Sequence, residues 1–291
     1  MSAKMTLGKQ LLYQLLLLFI TFTVLFPILW VVGMSLDARN ISRPTTLIPT
    51  EISFQAYQRV LDRPTANPVS FAELARNSFL LAGGVALFSV IVGILAAYVF
   101  SRFHFTGRRS LMMMVITVLM LPSIATIAPL FVMLNRIQFN IGDIVFNLRN
   151  SLLGVGLAMT SSALPFAIWN LKGYLDTIPK DLSEAARIDG ASYNQVFYYI
   201  ILPLARPAVA ITFFLGFLTG WTEFAYSWQF LSNPKSFTLA MSLYNMTGQW
   251  SGDTPWSAFA AMALMVAFPV SVIYLLLQKN IVSGLTVGGM K

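Results

Sequence analysis

The sequence predicts an all-α integral membrane protein of six transmembrane helices with both termini on the inner side. Three observations carry the prediction. Hydrophobic residues fill 57% of the 291 positions and charged residues only 10%, against roughly a quarter charged in soluble domains. Six apolar runs of about 20 residues recur along the chain, and at about 1.5 Å per residue each matches a hydrocarbon core of roughly 30 Å. The basic residues fall between those runs and not on a soluble domain, so the formal charge of +8 reads as orientation in the bilayer and not as nucleic-acid binding.

The first run, 11–34, follows Lys4 and Lys9. It is far longer than a signal-peptide core of about 7 to 15 residues and no small-residue cleavage site follows, so it is expected to remain as a helix kinked at Pro27. A polar segment with Pro44, Pro49, Pro64 and Pro68 comes next and predicts an outer loop with one short helix. The second span, 79–100, carries Gly83, Gly84, Gly93, Ala96 and Ala97, small surfaces suited to close helix packing. Arg102, His104, Arg108 and Arg109 mark the following short loop as inner. His104, the single histidine, has no orienting partner in sequence and reads as a loop residue, not a general base.

Span three, 111–134, holds Met112, Met113 and Met114 together with Pro122 and Pro129; span four, 151–171, has Thr160, Ser161, Ser162 and Pro165 in its middle. Those hydroxyls suit either a watered pathway or bonds back to helix carbonyls. The fifth span, 207–226, includes Glu223 near its outer end. An ionisable residue at membrane depth is a functional candidate, and its place beside Trp221 and Trp228 favours an interfacial residue at the headgroup level. An outer loop, 229–255, with Tyr244 and Trp250 leads to the sixth span, 256–277, and a polar, glycine-rich tail, 278–291. With this topology the inner segments hold 11 of the 19 basic residues, and 5 of the other 8 lie in the long first outer loop. The short loops therefore place 178–203 inside.

That inner loop is the one long polar stretch with internal order. Pro179 is suited to open a helix, and Asp181 and Glu184 place negative charge at its positive end. Leu182, Ala185, Ala186 and Asp189 fall on one narrow face. Gly190 is placed to stop the helix, and Ser192 with Gln195 forms a capping box for a second helix ending at Pro203. The pattern Glu184-Ala185-Ala186, three residues, Gly190, nine residues, Ile200, one residue, Leu202-Pro203 resembles, spacing included, the EAA loop of ABC importer permeases.

The likeness extends through most of the chain. Ala97-Tyr98-Val99-Phe100-Ser101-Arg102, Lys172-Gly173-Tyr174 and the ending Gly284-Leu285-Thr286-Val287-Gly288-Gly289-Met290-Lys291 resemble the smaller permease subunit of maltose-type sugar importers. The resemblance implies an ABC importer type I permease fold in a bacterial or archaeal cytoplasmic (inner) membrane. It implies that Glu184, Ala185, Ala186, Arg187, Asp189, Gly190, Leu202 and Pro203 couple to a cytoplasmic ATPase. It also implies that Gly288, Gly289, Met290 and Lys291 reach that ATPase, and that Tyr244 and Trp250 touch a substrate-binding protein. The partners so implied are a second permease, two ATPase subunits and an extracytoplasmic sugar-binding protein.

The sequence has no phosphate-binding loop of the G-x-x-x-x-G-K-[ST] type, so no cofactor is expected on this chain, and ATP and Mg belong to partner subunits. Without cysteine, thiolate metal sites and cysteine nucleophiles are excluded. No residue is assigned to the sugar. A proline at Gly190 or a charge at Ala186 is expected to uncouple ATP hydrolysis from uptake with the membrane fold intact. An ion-coupled secondary transporter or a channel is the alternative class, and the scarcity of mid-span ionisable residues speaks against the first.

Overall fold

A computed structural model describes residues 6–42, 44, 46–141, 144–247 and 254–288, without the side chains of 141–145 and 280–288. Among the described residues, four helices are long and apolar enough to cross a membrane, and two bent pairs bring the number to six if each pair is one span. The chain divides into two units, 1–71 with 243–267 and 72–242 with 268–291.

In the first unit, α1 (Leu7–Ser35) runs through Pro27 without interruption. The long loop after it folds back on itself. Asp37 bridges Ile52, and Ser53 donates its backbone N–H to the Leu36 carbonyl at 2.9 Å. The expected short helix is α2 (Gln55–Asp62), which buries Val60. The N-terminal end of the last helix is tied to the same loop, because the Ser257 hydroxyl donates to the Asp37 carbonyl at 2.6 Å and its backbone N–H to the Asn40 side chain at 3.0 Å. Arg39 grips the Asp37 carboxylate with two side-chain bonds of 2.8 and 3.0 Å. That hydrogen bonding holds the Asp37 carboxyl below its ordinary pKa.

The second unit is built on α3 (Phe71–Arg102), α6 (Leu152–Leu175) and α10 (Arg206–Trp221). With no water-driven force between helices in lipid, close backbone approach must supply the packing. Gly220 and Gly216 face Ala82 and Ala86, and a Cβ at these glycines would lie 2.6 and 3.1 Å from the alanine Cα atoms. Gly93 meets Ala167 in the same manner, at 3.0 Å from its Cβ. Gly83 and Gly84, expected in the same packing set, are not at this contact: a Cβ added at either would meet no atom of another element within 4 Å among the described residues. Of the small residues in α3, those on the buried stripe with Ala82, Ala86 and Gly93 make the contact.

Span three is not one rod. Helix α4 (Arg108–Leu119) and α5 (Ser123–Asn135) meet at 100° across Met120–Pro122. Pro122 lacks an N–H and opens α5 from an extended backbone. A hairpin of β1 (Gln138–Ile141) and β2 (Ile144–Asn147) follows, a local sheet in a chain expected to be all helix. Beyond α10 come α11 (Ala225–Phe230), the 3₁₀ turn Pro234–Ser236 and α12 (Leu239–Asn245). The last helix, α13 (Trp256–Gly288), continues through most of what the sequence suggests is a separate tail.

Glu223 lies past the end of α10 and is buried. Its carboxylate accepts from the backbone N–H groups of Tyr226 and Ser227 at 2.5 and 3.1 Å and from the Ser227 hydroxyl at 2.7 Å. It caps the start of α11.

Two outcomes follow from this packing. Gly220→Ala should destabilise the second unit by about 1–3 kcal/mol through overpacking against the α3 backbone, read as a lower unfolding temperature in detergent, while Gly84→Ala does not lower it. Because the Asp37 pKa is depressed on folding, its stabilisation is present above the unfolded carboxylate pKa and is lost as pH falls through the folded value. The stability lost between neutral and acid pH should therefore be smaller in Asp37→Asn than in the wild type.

Candidate coupling surface

The polar hairpin forms as a helix, a tight reversal and a second helix. Helix α7 (Lys180–Ile188) starts after Pro179 and carries Asp181 in its first turn, where a carboxylate opposes the helix dipole. It stops in a Schellman turn. Gly190 has φ +91°, the Ala191 N–H bonds the Ala186 carbonyl at 2.9 Å, and the Gly190 N–H bonds the Arg187 carbonyl at 3.1 Å. A side chain at position 190 would strain the left-handed backbone by about 1–2 kcal/mol.

Ser192 and Gln195 exchange the two bonds of a capping box, 2.7 and 3.3 Å long, and start α8 (Tyr193–Val196). Arg187 lies over the Tyr193 ring, 3.6 Å from its centre. A cation over an exposed ring contributes about 0.5–1 kcal/mol and fixes the angle between the two helices.

The second helix departs from expectation. Phe197–Ile201 is a π-helical turn, and the Leu202 N–H reaches back five residues to the Phe197 carbonyl. Pro203 has no N–H for the Tyr199 carbonyl and its ring crowds that group, so the turn before it widens. The helix does not end at Pro203. A short α9 (Leu202–Leu204) carries it on to Ala205, where the chain bends by 74° into α10.

Beneath the hairpin lies a close-packed junction. Ile94, Ala97 and Tyr98 of α3, Leu171 and Leu175 of α6, and Val196, Phe197 and Ile201 are buried in one cluster. The Tyr98 ring contacts Phe103 and Phe197, and its hydroxyl donates to the Tyr193 carbonyl at 3.2 Å. Arg102 ends α3 by donating to the carbonyl of Leu175, the last residue of α6, and to that of Ile178 in the turn beyond it, at 3.1 and 2.9 Å. Ser101 donates to Asp176 at 2.7 Å, Lys172 pairs with the same carboxylate at 2.5 Å, and the Tyr174 hydroxyl reaches the Leu204 carbonyl at 3.3 Å. The C-terminal ends of α3 and α6 and both hairpin helices are thus joined through apolar packing and directed hydrogen bonds.

Of the residues singled out in sequence, Glu184, Ala185, Arg187, Asp189 and Gly190 are exposed, while Leu202 and Pro203 are half-buried under the hairpin. Ala186 departs from the expected face. It is half-buried and packs on the cluster, so a charge there would disturb the hairpin's own seat, and the expectation of an intact fold does not carry over to that substitution. Sequence reasoning missed Ile188, which is 87% exposed, three residues beyond Ala185 and four beyond Glu184, on their face of the helix. The signal was present, because a large apolar residue at the end of a polar helix needs a cover. Tyr244 on α12 is half-exposed. Gly288 closes the described part of α13, whereas Trp250, Gly289, Met290 and Lys291 lie outside the described residues.

The apolar spans are those of a multi-pass membrane protein, and the polar hairpin stands between two of them. Residues 89–287 match the family described as binding-protein-dependent transport system inner membrane component. The chain is 33% identical over 277 residues to the galactooligosaccharides transport system permease protein GanQ of Bacillus subtilis (strain 168), covering 95% of this chain and 94% of the relative. It is 32% identical over 287 residues to the maltose/maltodextrin transport system permease protein MalG of Escherichia coli (strain K12), covering 96% and 94%. Against the trehalose transport system permease protein SugB of Mycobacterium tuberculosis the identity is 30% over 267 residues, covering 92% of each. The fold matches a chain of a bacterial ABC transporter involved in the import of the acidic polysaccharide alginate, with a TM-score of 0.76 at 21% identity over 96% of this chain and 99% of that one. The chain belongs to the binding-protein-dependent transport system inner membrane component family. It is a transport permease of the inner membrane with the ABC importer fold, and membership sets aside the secondary-transporter and channel alternatives.

Replacing Arg102 with alanine removes its bonds to the Leu175 and Ile178 carbonyls. The Leu175 carbonyl keeps the Ile178 N–H at 3.2 Å, so the loss falls on the Ile178 carbonyl, and an acceptor left unpaired costs about 1–3 kcal/mol. Faster proteolytic cleavage within 180–192 and a lower unfolding temperature are expected of Arg102→Ala in detergent.

Proposed function

We propose that this chain is the smaller permease subunit of an ATP-driven importer of oligosaccharides of the maltose class, and that the 180–204 hairpin transmits ATPase closure to the membrane helices. One observation carries the sugar reading: near full-length identity of 30–33% to three permeases whose names specify galactooligosaccharides, trehalose and maltose or maltodextrin. Both termini then lie inside. A second permease completes the pathway, two ATPase subunits hold ATP and Mg and perform hydrolysis, and an extracytoplasmic binding protein delivers the sugar. Tyr244 and Trp250 belong to the side that receives it, and Gly288, Gly289, Met290 and Lys291 extend toward the ATPases.

Physical support for the coupling role is the seat of α7. A close-packed interior passes displacement on instead of absorbing it. A push on the exposed face of α7 therefore reaches α3 and α6 through Ala186, the Tyr98 ring and the Arg102 hydrogen bonds. ATPase closure biases the equilibrium between inward-open and outward-open arrangements, and the bias equals the difference in contact energy that the hairpin makes in the two. Glu184, Ala185, Asp189 and Ile188 form the contact, Arg187 and Gly190 hold its shape, and Leu202 and Pro203 carry it into α10.

The test is purification of the tagged chain from its own membranes, counting of the co-purifying subunits and reconstitution with the binding protein. One second permease and two ATPase copies per chain are expected. Charges on the exposed face, Ala185→Glu or Ile188→Glu, should lower sugar uptake at least about tenfold, because an unpaired charge desolvated at an interface costs several kcal/mol, while the chain's unfolding temperature stays at the wild-type value. Wild-type uptake in both variants would sink the coupling role.

A further inference from the structure

Within the second unit a cavity of about 760 Å³ opens at the corner where α4 turns into α5. Non-helical backbone survives at membrane depth only where protein buries it or where it lines a watered space. The corner at Met120–Pro122 lies at this cavity, which Leu121 lines with Val118 and Leu130. Four hydroxyl or backbone-bearing polar residues share the wall: Ser123, Thr126, Ser161 and Ser162.

These hydroxyls are already oriented. Thr126 donates to the Ser123 carbonyl at 2.6 Å, and Ser161 to the Ala158 carbonyl at 2.7 Å. Behind them the buried Tyr226 joins the two helices, with its hydroxyl 2.8 Å from Thr126 Oγ1, 3.1 Å from Ser162 Oγ and 3.3 Å from the Ser123 carbonyl. A hydroxyl that donates backward to a carbonyl still presents lone pairs forward. The cavity therefore offers acceptors fixed by a network, set beside apolar surface, and among the described residues no charged side chain lines it. Glu223, near in sequence to Tyr226, spends its carboxylate on the α11 cap.

We infer that this cavity is a sugar-contact site on the permease itself, built for a neutral oligosaccharide: the acceptors receive sugar hydroxyls and the apolar wall receives the C–H faces of the rings. The inference rests on the proposed sugar-import reading and adds the charge class of the cargo and the residues that hold it. A carboxylated sugar would have to leave water for a wall that offers it no cation, which is costly.

The test uses the whole importer, purified through this chain and reconstituted in liposomes with its binding protein at saturation. Labelled maltotriose, trehalose, galactotriose and trigalacturonate are the probes, and sugar uptake and ATP hydrolysis are measured together. At least one neutral sugar should be imported and trigalacturonate excluded. In Thr126→Val and Ser162→Ala, uptake per ATP hydrolysed should fall about three- to tenfold, the effect of one lost hydrogen bond or two, with ATP hydrolysis at the wild-type rate. Ser162→Thr should restore the ratio, and Thr117→Val, whose hydroxyl bonds only the Met113 carbonyl of its own helix, should leave it unchanged. An unchanged ratio in both test variants, equal losses of uptake and hydrolysis, or import of trigalacturonate overturns the inference while sugar import stands. A wild-type importer that moves none of the sugars overturns the import reading and the inference together.

Discussion

Everything the polar hairpin is proposed to do depends on the junction beneath it, where Tyr98 and Arg102 at the end of α3 meet the end of α6 and the start of α8. Apolar packing alone would leave the hairpin free to slide, because dispersion and area burial have no direction. The directed bonds remove that freedom. Arg102 spans the Leu175 and Ile178 carbonyls and Tyr98 reaches the Tyr193 carbonyl, so a shift of the hairpin relative to α3 or α6 must break hydrogen bonds in a poorly solvated place. Moving all the helix ends together is the cheaper response. That difference is what a lever needs.

The same logic of satisfied backbone explains why the irregular pieces sit where they do. The π-turn before Pro203 and the bend at Ala205 lie against the junction, and Ile201 and Ala205 are buried in it. The α4–α5 corner lies instead at a cavity with hydroxyls around it. In both places a proline removes a donor, and at the corner the Val118 carbonyl accepts instead from the Leu121 N–H at 3.1 Å. Glu223 shows the complementary case, a buried carboxylate whose two oxygens take three donors at the start of α11.

Close helix approach sets the rest of the second unit. Gly216 and Gly220 let α10 lie against the Ala82 and Ala86 backbone, which gains contact that longer side chains could not supply in lipid. Apolar faces left over are large, as on α1, where the residues from Leu7 to Leu29 in the described helix are exposed. Lipid accepts such a face without penalty, as water does not.

Much of this was legible in sequence. Apolar length determined the spans, Gly190 and the Ser192–Gln195 pair determined the reversal and its cap, and the spacing from Glu184 to Pro203 identified the family, because each depends on chain-local chemistry. The tertiary structure alone decided which helix faces meet, that Gly83 and Gly84 stand apart while Ala82 and Ala86 make the contact, that Ala186 turns inward and Ile188 outward, that Glu223 is a cap, and that span three is a corner. Those outcomes depend on partners a hundred residues or more away, such as Tyr226 for Thr126 and Ala82 for Gly220. Local propensity cannot register a neighbour that only folding brings near.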